Sequence, residues 1–254
     1  ITILAIAGCG GTDEVPDVGA EALEEPAGRW IDTTPPTITA RSPLTAATGV
    51  ALSANVTATF SEAMTSGSIN SSTFTLRDPA GNAVAGAVSY NTTSRVATLN
   101  PSGTLALSGG TVYTATVLGG AGGVTDSAGN PLAVDAIWTF TTTPPVVSAT
   151  VPASGATSVS RTANITATFN GPMNASTING TTVTLQTTGG TAIPAVVTVT
   201  TLSTGATRAV LNPNGTLSSL ATYRVTVRGG STGVKTPTGV DLSADRTWTF
   251  TTQP

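Results

Sequence analysis

From Asn55 to Phe60 the chain reads NVTATF, with Val56, Ala58 and Phe60 apolar and threonines between them. A period of two belongs to a strand that buries one face and wets the other. The same six-residue pattern returns 109 residues later, from position 55 to position 164, with Ile165, Ala167 and Phe169 in the apolar places. Tyr113, Ala115 and Val117 alternate likewise and are answered by Tyr223, Val225 and Val227. Near the end of each half comes WTFTT, placing Trp138 with Phe140 and Trp248 with Phe250 on one side of a strand. These aromatic positions, with Phe60 and Phe169, are the expected core. In the first half the spacing predicts strands over residues 37–42, 55–60, 73–77, 87–91, 95–100, 111–118 and 137–142, with DPAGN at 78–82 as the clearest hairpin turn. Long runs at helical spacing are missing.

The echo is a tandem duplication. FSEAM is answered by FNGPM, LNPSGTL by LNPNGTL and the paired Pro35 and Pro36 by Pro144 and Pro145. The offset drifts from 109 to 112 and back to 110, as small insertions in hairpin loops would make it. A unit of about 110 residues is far longer than a solenoid repeat of roughly 20–50, so each copy is expected to carry its own core. The boundaries fall at 35–143 and 144–254, joined by TTPP at 142–145, where proline stiffens its own and the preceding backbone. The expected architecture is all-β: two sandwiches of about seven strands each, end to end as a semi-rigid rod, behind an extended N-terminal tether.

Composition supports this and removes alternatives. Charged residues make up 9% of the 254, and mean hydropathy is +0.21, so charge-driven disorder is not expected for the body of the chain. The net charge of −3 conceals an asymmetry: seven of the 13 acids lie between positions 10 and 34, against one base, Arg29. That stretch reads as an acidic, solvated tether with room for a short helix over 18–25, and Trp30 as a lid packing on the first domain. The repeats hold the other six acids and nine bases, without the clustering that a nucleic-acid footprint needs.

The N-terminus admits two readings. Residues 1–8, ITILAIAG, are too short to span a bilayer, and they run into Ile6, Ala7, Gly8 and Cys9, which resembles a bacterial lipoprotein cleavage box. That resemblance places an acyl anchor on Cys9, with residues 1–8 as the remnant of a signal peptide and the cell envelope as partner. With Gly10 following, it points to the outer membrane in a Gram-negative cell. Alternatively, Ile1, Ile3, Leu4 and Ile6 belong to a donor strand that adds to the sheet of a neighbouring molecule, and the chain is a fibre subunit that associates with itself.

PPTITARSP, FSEAM, ATLNPSGTLALSGGTVYTATV, GGVTDSAGNPL and WTFTT together resemble the bacterial Ig-like domain of surface and S-layer proteins, the type called big-five. Two copies cover nearly all of 35–254. The resemblance implies a seven-stranded sandwich used outside the bacterial cell as a spacer, stalk or adhesive module. Tyr113 and Tyr223 stand where such sandwiches carry a tyrosine corner, with the hydroxyl bonded to nearby backbone. The second repeat departs from the pattern, with GPM for EAM and VKTPTGVDL for VTDSAGNPL, so a role of Glu62 or Asp126 is not shared by both domains.

Chemistry is hard to place on this sequence. There is no histidine, Lys235 is the sole lysine and Cys9 the sole cysteine. A nucleophile therefore has no imidazole base, zinc has no credible ligand set, and an intrachain disulfide is impossible. No enzyme activity and no organic cofactor are expected. Calcium is the one ion that fits the residue types, through Asp126, Asn130 and Asp135 around one loop, although such residues also bond their own turns. Seven N-x-S/T triplets arise easily in so threonine-rich a chain and carry no weight beside a bacterial cleavage box.

Overall fold

The computed structural model describes residues 32–102 and 107–254. Cys9, the donor-strand residues Ile1, Ile3, Leu4 and Ile6, the short helix, Trp30 and the acidic tether up to residue 31 lie outside the described residues. Residues Thr33–Pro254 form one compact unit that holds both sandwiches.

In the first domain β1 (Ile38–Ser42), β2 (Ala47–Val50), β3 (Val56–Phe60), β4 (Phe74–Arg77), β5 (Gly86–Asn91), β6 (Val96–Pro101), β7 (Val112–Val117) and β8 (Ala136–Thr142) make two four-stranded sheets. Their orders are β1-β3-β6-β5 and β2-β8-β7-β4. The second domain repeats them with β9 (Val147–Val151), β10 (Ala156–Val159), β11 (Ile165–Phe169), β12 (Val183–Thr187), β13 (Ala192–Ile193), β14 (Ala195–Thr201), β15 (Thr207–Pro213), β16 (Thr222–Val227) and β17 (Arg246–Thr252). Here the orders are β14-β15-β11-β9 and β10-β17-β16-β12-β13.

The fold is thus an all-β pair of Ig-like sandwiches, with eight and nine strands rather than seven. The strand absent from the sequence pattern is β2, with its counterpart β10. It pairs parallel to β8 at only two positions, Ala47 with Phe140 and Val50 with Thr142, across a register shift. Its apolar residues are three apart, and Gly49 at φ +67° breaks the pleat, so neither period nor run marks it. The short β13 pairs with β12 at two positions, Leu185 with Ile193 and Gln186 with Ala192, where the first domain has only an isolated bridge between Arg77 and Ala83.

Alternation decides what is inside. Val56, Ala58 and Phe60 are buried while Thr57 and Thr59 are half-exposed, and Ile165, Ala167 and Phe169 repeat this. Trp138 and Phe140, and Trp248 and Phe250, are buried between the sheets. Tyr113 stacks on Phe140 with ring centroids 5.9 Å apart, and Tyr223 on Phe250 at 5.7 Å. Each large side chain removed from water contributes about 1.5–3 kcal/mol, which is how sandwiches without a disulfide hold together. Arg41 closes the first core from outside, with its guanidinium 5.4 Å over the Trp138 ring.

Candidate functional site

Both tyrosine corners are present. The Tyr113 hydroxyl accepts the N–H of Ser108 at 2.8 Å, and the Tyr223 hydroxyl accepts that of Ser218 at 2.9 Å. Burial pushes the Tyr113 phenol above its ordinary pKa. Thr142 continues the corner: its hydroxyl donates to the Ser108 carbonyl at 2.6 Å and accepts the N–H of Thr111 at 3.0 Å. Tyr90, which alternation did not single out, accepts the N–H of Met64 at 3.0 Å; in the second domain the Thr207 hydroxyl does this for Met173.

The three calcium candidates serve two turns. Asp126 is fully buried, and its carboxylate accepts the N–H groups of Ala128 and Asn130 and the side-chain amide of Asn130, all at 2.8 Å. Burial raises its pKa, but the bonds from Asn130, Ala128 and Gly129 outweigh that and hold it below the usual carboxylate value. Asp135 lies elsewhere, accepting the N–H of Gly119 at 2.8 Å. Glu62 brings a carboxylate oxygen within 4.8 Å of Asp126. A hard cation there would compete with the three donors that Asp126 already accepts. In the second domain Thr236 replaces Asp126 and accepts the N–H of Val240 at 3.0 Å, while Lys235 pairs with Asp241. That pair is partly exposed and worth little.

The most developed constellation outside the cores is the junction between the two sandwiches, which the sequence pattern indicated only as TTPP. The linker is gripped from both sides. A Cβ on Gly109 would lie 3.1 Å from both the Pro145 nitrogen and the Thr143 carbonyl, so any larger residue would push the linker back by a few tenths of an ångström. From the second domain, Asn170 donates its amide to the Pro144 carbonyl at 3.0 Å and accepts the N–H of Val146 at 2.9 Å. Pro145 is buried here, as its counterpart Pro36 is in the first domain.

Direct contacts flank the linker. Leu52, in the turn between β2 and β3, is 4% exposed yet belongs to neither core; its Cδ1 sits 2.3 Å from where a Cβ on Gly171 would be. Gly110, at φ +65°, faces Val240, and the hydroxyls of Thr111 and Thr238 share a hydrogen bond of 2.7 Å. The hairpin carrying Asp78 and Asn82 overhangs a crevice also lined by Pro237 and Thr238. There the Asn82 amide and backbone N–H groups bond Asp78 and lower its pKa. No signal of period or composition marks these residues. What marks them is that Leu52, Gly110, Gly171 and Val240 differ from their counterparts in the other repeat.

Among solved structures, the N-terminal part of the bacterial S-layer protein SbsC is similar over 85% of this chain and 44% of its own, at 14% identity and a TM-score of 0.34. A longer SbsC fragment aligns with 43% of this chain and 14% of its own, at 21% identity and a TM-score of 0.31. The Escherichia coli adhesin FdeC aligns with 86% of this chain and 65% of its own, at 12% identity and a TM-score of 0.27. The chain therefore spans less than half the length of either SbsC structure. No curated protein matches it. The bacterial Ig-like domain family, Big_5, matches residues 32–142 and again 142–252, which coincide with the two sandwiches, and the chain belongs to that family.

Proposed function

We propose that the chain is a non-enzymatic structural module of a bacterial cell surface, a spacer or adhesive stalk that carries its load through two Ig-like domains in series. The observation that carries this reading is the pair of closed sandwiches joined by a short linker that both domains contact, the first through Gly109 and the second through Asn170. Two dry cores coupled end to end are suited to holding distance, and the buried polar groups described are engaged in turns and corners rather than aimed into a cleft. Membership of the bacterial Ig-like family supports a location outside the cytoplasm.

Within this reading the chain is tethered through an acylated Cys9, with the acidic segment as a solvated spacer, in the outer membrane if the cell is Gram-negative. The test uses protein from its native cells. Protease added to intact cells should remove the sandwiches, and mass measurement of membrane-extracted protein should find a lipidated Cys9 as its first residue. Protection in intact cells refutes the surface reading. An unmodified terminus at Ile1 refutes the anchor and favours strand donation between copies.

A further inference from the structure

The duplication supplies an internal control for the junction, because hydrogen bonds fix which positions correspond. The N–H of Leu107 donates to the Leu52 carbonyl at 3.2 Å, as that of Leu217 does to Arg161 at 2.9 Å. Gly110 donates to Thr143 as Leu220 does to Gln253, at 2.8 and 3.2 Å. Asp126 donates to Asn130 as Thr236 does to Val240, at 3.0 and 2.8 Å. Leu52 therefore matches Arg161, Gly110 matches Leu220, and Val240 matches Asn130; by the common offset, Gly171 matches Glu62.

These matched positions diverge in the sense that mating requires. Leu52 is a knob and Gly171 its slot, whereas Arg161 and Glu62 are half-exposed. Gly110 leaves room for Val240, whose Cγ1 is only 2.9 Å from where a Cβ would be. Leu220 keeps the same left-handed backbone, φ +50°, but carries a side chain that is 71% exposed. Ser108 and Gly109 are buried at the junction, while the matching Ser218 and Ser219 are exposed.

We propose that the junction is a keyed lock: Leu52 seated on Gly171, with Gly110 and Thr111 set against Val240 and Thr238, holds the two sandwiches in one relative orientation. The surface at the far end of the second domain lacks this key. Leu220 fills the space that Gly110 leaves, so a further domain cannot dock there in the same way. This deepens the spacer reading, since a hinge would not hold distance, but the lock is measured on purified protein and stands or falls independently of location.

The experiment places spin labels at Ser89→Cys and Thr200→Cys, both exposed, in the full chain with Cys9→Ser, and reads the interdomain distance distribution by double electron–electron resonance. The unaltered junction should give one narrow peak. Gly171→Ala, whose Cβ collides with Leu52, should broaden it at least twofold, and so should Leu52→Ala, which removes the knob. The double variant Leu52→Ala with Gly171→Ala restores steric fit and should narrow it again, which damage to folding could not do. Arg161→Ala, at the matching place in the second domain, should leave it unchanged. A broad distribution in the unaltered protein, no response to Gly171→Ala, no recovery in the double variant, or broadening by Arg161→Ala equal to that of Leu52→Ala overturns the proposal.

Discussion

Replacing Thr142 by valine keeps the shape of the side chain and deletes one hydroxyl, and the repeat provides the matched experiment at Thr252. Both threonines are 1% exposed and make the same bonds, to Ser108 and Thr111 in one domain and to Ser218 and Ala221 in the other, at 2.6–3.0 Å. What differs is water. Thr111 and Ser108 are buried, at 1% and 7% exposure, beneath the second domain, whereas Ser218 is exposed and Ala221 half-buried. A buried donor or acceptor left without a partner costs about 1–3 kcal/mol, whereas one that water can reach costs little beyond the lost bond, about 1 kcal/mol. The added methyl returns about 0.8 kcal/mol in each case. With two partner groups at each threonine, Thr142→Val should therefore destabilise by about 3 kcal/mol and Thr252→Val by about 1 kcal/mol. Urea unfolding followed by tryptophan fluorescence reports on both domains, through Trp138 and Trp248, and gives the two values with the slope as a check on cooperativity. Equal costs, or a larger one at Thr252, would refute the claim that the junction keeps the first domain's corner dry.

Asp126→Ala should cost about 2 kcal/mol in the same assay, because it removes charge-assisted bonds from a buried carboxylate to a turn whose other residues are exposed or half-exposed, whereas Asp126→Thr, the solution used at Thr236, should cost about 1 kcal/mol. Since the folded protein holds the Asp126 carboxyl below its ordinary value, that stability is complete above the unfolded pKa of about 4 and is lost as pH falls through the folded one. Acid melting curves of Asp126→Thr should be flatter there than those of the parent. The raised Tyr113 phenol acts in the opposite direction: its contribution is complete below about pH 10 and is lost as pH rises through the folded value, so Tyr113→Phe should be less sensitive to alkali. Adding calcium at about 10 mM should leave the melting temperature unchanged, because the Asp126 oxygens already hold three donors; a rise of several degrees would show that the ion displaces them.

The sandwich was legible because burial writes itself into the sequence with period two. Val56 to Phe60 and Tyr113 to Val117 can be assigned to a face from alternation alone, and duplication doubles the signal. β2 was not legible: it lies along β8 for only two pairings, and a strand that short leaves no period. The carboxylates are placed in ways that spacing does not show. Asp126, Asn130 and Asp135 are close in sequence, yet the turn at 126–130 uses the first two, and the chain turns away before the third reaches Gly119.

The junction was illegible in either repeat alone, and the reason bears on how such chains diverge. Core positions answer to the same pressure in both copies, so Phe60 and Phe169, or Trp138 and Trp248, stay alike. A pole answers to whatever it touches, and the two copies of each pole touch different things: Leu52 meets Gly171, while Arg161 remains half-exposed. Departures such as GPM for EAM are then the places where the duplicated domains acquired distinct neighbours. Had Leu220 stayed a glycine like Gly110, the far pole of the second domain would present the same surface that the first domain uses at the junction. The differences in their loops, more than the likeness in their strands, make these two domains one object.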